Sequence, residues 1–106
     1  MINKILKSSA IPSWPGRCPV PPECTYGIYF DAVEADGPDG ETPRIFTHDI
    51  TIELYAPTQE AASTAEAALE SAIGAQGLTW TKQDRYWLSS VQRYQTIYEF
   101  TYITKI

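Results

Sequence analysis

Histidine, cysteine and basic residues are all scarce in this chain of 106 residues: one His, two Cys, and eight Lys and Arg against thirteen Asp and Glu. Each shortage removes a class of function. The cations, Lys4, Lys7, Arg17, Arg44, Lys82, Arg85, Arg93 and Lys105, are scattered, and the net charge is −5. Gripping a nucleic-acid backbone takes clustered Lys and Arg that displace counterions, so no specific nucleic-acid binding is expected. Cys18, Cys24 and His48 fall short of the four ligands of a structural zinc site, and the cysteine spacing misses the redox C-x-x-C pattern. Free thiols in a reducing compartment are the reading for Cys18 and Cys24, with a local disulfide as the alternative. No apolar run approaches the roughly 20 residues of a membrane span. The opening Met-Ile-Asn-Lys-Ile-Leu-Lys lacks the apolar core and cleavage site of a secretory signal, so a cytoplasmic origin is expected.

What is present is β-pattern. In Tyr94-Gln-Thr-Ile-Tyr-Glu-Phe-Thr-Tyr-Ile-Thr104, Thr96, Tyr98, Phe100, Tyr102 and Thr104 alternate with Ile97, Glu99, Thr101 and Ile103. Strand side chains point to opposite faces in turn, so the alternation predicts a strand over 93–104. His48-Asp-Ile-Thr-Ile-Glu-Leu-Tyr55 behaves likewise and predicts a strand over 44–56. Tyr26, Ile28 and Phe30 share one face of a third strand, 25–33, in which Gly27 marks a bulge or a close backbone approach. Leu78-Thr-Trp-Thr-Lys82 gives a short fourth strand, and 84–90 reads as a turn.

Two helices accompany them. Ile2, Ile5 and Leu6 recur at helical spacing, predicting a short helix over 2–9 that ends before Pro12. Thr58 is a natural N-cap, and Ala62, Ala65, Leu69, Ala72 and Ile73 form the apolar stripe of a helix over 58–74. Glu60, Glu66 and Glu70 are assigned to its solvent side. The fold class predicted is α+β: a mainly antiparallel four-stranded sheet with one long helix on one face, in the order α-β-β-α-β-β. One domain spans 1–106, because two cores would each be too small. Within it, the prolines of 12–24 make an extended connector that Trp14 anchors, and 34–43, rich in Gly, Pro and carboxylates, makes an exposed hairpin loop.

No catalytic or metal constellation emerges. Asp49, beside His48, points to the opposite face and cannot assist it. Asp31, Glu34, Asp36, Asp39 and Glu41 lack the residue order of a calcium loop. No Gly-rich phosphate loop lies between a strand and a helix. The expectation is a non-enzymatic protein with no metal or cofactor.

The ordered set of Ile11-Pro12, Tyr26-Gly-Ile-Tyr-Phe30, Ala35-Asp-Gly37, His48-Asp-Ile-Thr-Ile-Glu-Leu-Tyr55, Pro57-Thr58, Gly77-Leu-Thr-Trp-Thr-Lys82 and Tyr94-Gln-Thr-Ile-Tyr-Glu-Phe100 resembles the small tail-terminator (tail-completion) proteins of long-tailed bacteriophages and prophages. The Pro-rich segment with Cys18 and Cys24 departs from that pattern. The resemblance implies a virion part of the tail or neck, a hexameric ring that caps the tail tube. Its partners would be further copies of itself, the tail-tube protein and a head-completion or connector protein, with DNA at most passing through. Glu34, Asp36, Asp39, Glu41 and Arg44 are the candidate assembly interface. The alternatives are a head–tail connector or minor capsid protein of the neck and, in a different class, a small ligand-binding or regulatory α+β domain. An oligomer in solution separates assembly from ligand binding.

Overall fold

Long alternating segments need partners for their backbone N–H and C=O groups, and here they find them in one sheet. The computed structural model describes residues 1–18, 23–36 and 45–105. Its elements are α1 (Ile2–Ser9), β1 (Ser13–Pro15), β2 (Tyr26–Asp36), β3 (Ile45–Ala56), α2 (Gln59–Gly74), β4 (Thr81–Lys82), β5 (Tyr86–Leu88) and β6 (Arg93–Lys105). The sheet runs β1-β2-β3-β6-β4, with β5 also on β6. The α+β class and both helices agree with the expectation. The sheet is nonetheless mixed, because β1 lies parallel to β2, and six-stranded rather than four-stranded, because β1 and β5 add to the four expected strands.

Three differences have local causes. Part of the Pro-rich connector is an edge strand: the Gly27 N–H donates to the Pro12 carbonyl and the Gly16 N–H to the Tyr29 carbonyl, so the prolines need no donor of their own. A Cβ on Gly27 would lie 2.8 Å from Ser13 Oγ, so a larger residue at this close approach would displace that hydroxyl, which donates to the Ile11 carbonyl. The predicted fourth strand is ladder-paired only at Thr81–Lys82, and the predicted turn over 84–90 contains β5. Both short strands are held by the outer edge of β6. A turn follows β5, with Gln92 at φ 53° and the Val91 N–H bonded to the Leu88 carbonyl. β2 extends to Asp36, so Glu34–Asp36 belong to a strand paired with 45–47 rather than to the hairpin loop. The rest of that loop, and Pro19–Pro22, lie outside the described residues.

Both helices cover one face. Thr58 caps α2 by accepting the Ala61 N–H at 3.0 Å, which satisfies one of the first-turn donors. Ile2 and Ile5 of α1, Ala65, Leu69, Ala72 and Ile73 of α2, Ile50, Ile52 and Leu54 of β3, and Tyr98, Phe100 and Tyr102 of β6 form the core. The alanines at 62, 65 and 72 are buried and leave room for the helix to approach the sheet. Ile52 and Tyr98 are paired across the strands and are both completely buried. Among the described residues no helix is long and apolar enough to cross a membrane.

Candidate functional site

β2, β3 and β6 are 11, 12 and 13 residues long, longer than the helices can cover. Beyond the His48–Tyr102 pair, burial falls away. Val33, Ile45 and Ile103 are exposed to 51%, 38% and 59%. At ~3.3 Å per residue, the strands run roughly 17 Å from Asp31 to Asp36. This end of the sheet is a three-stranded arm, and the molecule measures 50 × 27 × 22 Å.

The arm is stapled across its strands. His48 of β3 stacks on Tyr102 of β6 with ring centroids 4.5 Å apart. Its Nδ1 lies 3.0 and 3.2 Å from the Asp31 carboxylate oxygens on β2, and its Nε2 lies 3.0 Å from Thr104 Oγ1 on β6. The carboxylate accepts the Nδ1 proton, which leaves Nε2 to accept from the Thr104 hydroxyl. The neighbour Asp49 does point away, as its position predicts, and accepts from Thr101 Oγ1 at 2.8 Å on the other face. The partners of His48 come instead from the diagonal positions of the two flanking strands, which sequence adjacency does not reveal. An Asp–His–hydroxyl line can orient a base, but acyl transfer also needs convergent donors for an oxyanion. The N–H groups of Ile103 and Lys105 lie in the plane of the sheet, about 7 Å apart by strand rise, and do not converge. The line ties β2, β3 and β6 to one another. Tyr102 has its phenol pushed up by burial and by the Asp31 charge, opposed by a hydrogen bond with the Ile2 backbone.

A second polar cluster joins α2 to the sheet. Glu66 accepts from Arg85 Nε at 2.7 Å and Thr96 Oγ1 at 2.7 Å, and pairs with Lys82 Nζ at 2.8 Å. Glu70 accepts from Tyr98 Oη and from Lys82. Burial alone would raise the Glu66 carboxyl, but the donors from Arg85, Lys82 and Thr96 outweigh it and hold it at about 2. Tyr98 is pushed far up by burial and by its bond to Glu70. Assigning Glu66 to solvent is thus corrected, since only 7% of its side chain is exposed. On the face without helices, Tyr26 and Tyr55 stack at 5.1 Å, and Trp14 meets Tyr26 edge-on. Burial, with Glu53 accepting from its hydroxyl, lifts Tyr55 to about 12, against the Gln95 donor.

Of the candidate interface residues, Glu34 is exposed on β2, and Asp36 is in register with Ile45 at the strand end. Asp39, Glu41 and Arg44 lie outside the described residues. Cys18 and Cys24 are free thiols, and among the described residues no cluster of three or more His, Cys, Asp or Glu is placed to hold a metal. The surface that sequence reasoning missed is the backbone edge of the arm. β1 covers β2 only at 27–29, and β4 and β5 cover β6 only up to Glu99. Among the described residues nothing pairs with the outer edges of 31–36 and 100–105. Comparison of the chain with known protein families and with curated proteins finds no match.

Proposed function

We propose that this protein is a structural component of a phage tail, a ring that ends the tail tube and offers a surface to the head connector. The observation that carries the reading is the three-stranded arm, which extends past the helix layer with exposed Val33, Ile45 and Ile103 and two edges that no described residue pairs with. Exposed strand edges are templates for other chains, and natural proteins blunt, cover or pair them. A closed ring built from one repeated head-to-tail contact pairs every edge without unlimited growth. The order of elements that resembles tail terminators supports the same assignment. The net charge of −5 suits a ring through which DNA passes without being held, because like charge repels phosphate. On this reading the protein has no catalytic role.

The test is polymerisation. Purified protein added to growing tail tubes is expected to stop elongation and to decorate one tube end as a ring in electron micrographs. Tubes that lengthen at an unchanged rate, with both ends bare, would overturn the assignment.

A further inference from the structure

The two outer edges of the arm, unpaired among the described residues, have matching hydrogen-bonding phase. Ile97 accepts from the Gln83 N–H on the outer side of β6, so alternate residues after it, Thr101, Ile103 and Lys105, also turn their N–H and C=O groups outward. On β2 the Gly27 N–H and Tyr29 C=O face β1, so Asp31, Val33 and Ala35 face outward beyond it. β2 and β6 are both antiparallel to β3, hence parallel to each other. We infer that the β6 edge of one copy pairs in parallel with the β2 edge of a second copy of this chain, beyond the stretch that β1 and Gly16 occupy, with Ile103 and Lys105 opposite Ala32 and Glu34. This rests on the ring reading and names its contact.

Three features select this partner. A parallel ladder that joins the outward groups of both strands sets odd residues of β6 opposite even residues of β2. Both sets lie on the face without helices, so every copy keeps its helices on the same side of a continuous sheet. Charge also matches: beyond Glu99 the β6 edge carries only Lys105, whereas the β2 edge carries Asp31 and Glu34. Pairing two β2 edges would oppose carboxylates. Finally, Phe100-Thr-Tyr-Ile-Thr104 has high β-propensity, no charge, and no Pro or Gly. That is the composition of a strand that other strands add to, and it lacks the residues that guard a free edge. Phe30 and Ile103, exposed to 43% and 59%, become diagonal neighbours across the junction.

Native mass spectrometry and light scattering of the full chain test this, with two variants. Ile103→Pro removes one outward N–H and none that bonds to β3, so it is expected to abolish the ring while leaving circular dichroism and the melting curve nearly unchanged. Glu34→Cys/Lys105→Cys, with Cys18→Ser and Cys24→Ser, is expected to give a ladder of disulfide-linked multimers on oxidation, and each single-cysteine control is expected to give none. The double variant decides the matter if Ile103→Pro fails to fold. A ring that forms without cross-linking, a discrete dimer, or a wild-type monomer at every soluble concentration would overturn the edge contact. A cross-linked ring that leaves tubes growing would overturn the tail-terminator assignment alone.

Discussion

A carboxylate as buried as Glu66 is tolerated because Arg85, Lys82 and Thr96 converge on it. Removing one member of such a set leaves charge without its partner, which costs more than the net value of the pair. The Glu66 carboxyl is at about 2 when folded, below its ordinary 4.5. A depressed value contributes stability that is fully present above 4.5 and is lost as pH falls toward 2. The gap corresponds to on the order of 3 kcal/mol at neutral pH. Glu66→Gln is therefore expected to lower the urea midpoint clearly at pH 7 and progressively less below pH 4.5. A deficit that is constant across that range would show that the charge of Glu66 is not the stabilising feature. The spacing held a clue to this burial. Position 66 follows Ala62 by four and precedes Leu69 by three, which places it on the apolar stripe, and Lys82 and Arg85 follow in the next segment.

At the scale of elements, the core is carried by α2, β3 and β6, and its positions follow the two periods of the sequence. Leu69 is fully buried and Phe100 is 5% exposed. Leu69→Ala and Phe100→Ala are each expected to cost about 2–5 kcal/mol, because a cavity adds to the lost burial. Denaturant midpoints unchanged at both sites would mean that these side chains do not carry the core. The long strands and both helices were legible because many residues repeat the pattern. β1, β4 and β5 are two or three residues long, too short to display a period, and they exist because a neighbouring edge holds them. The prolines concealed β1, although Pro15 at a parallel edge sacrifices no ladder bond. The His48 staple was hidden for another reason: its partners, 17 residues before it and 56 after it, meet only through strand register.

The whole molecule divides into a covered end and a bare end, and the two should differ in how readily they open. Ile52 and Tyr98 lie where both helices and the sheet meet, so their amides should exchange only on global unfolding. In an isolated subunit the outward amides of Val33, Ala35, Ile103 and Lys105 have no partner among the described residues and should exchange close to the rate of an unstructured chain. The inward amides of the same strands remain in the β2–β3 and β3–β6 ladders. Edge pairing in a ring would protect the outward set selectively, alternate residue by alternate residue, whereas a contact through side chains alone would not produce that alternation. Hydrogen exchange read per residue in dilute and assembled samples is therefore expected to show slowing of at least about tenfold at 33, 35, 103 and 105, a change of about 1.4 kcal/mol or more in opening free energy. No further protection is expected at Ile52 or Tyr98 beyond the stability gained on assembly. If assembly slows exchange on the helices and leaves the arm unchanged, the neighbouring subunit docks on the helical side, and the exposed edges have another role.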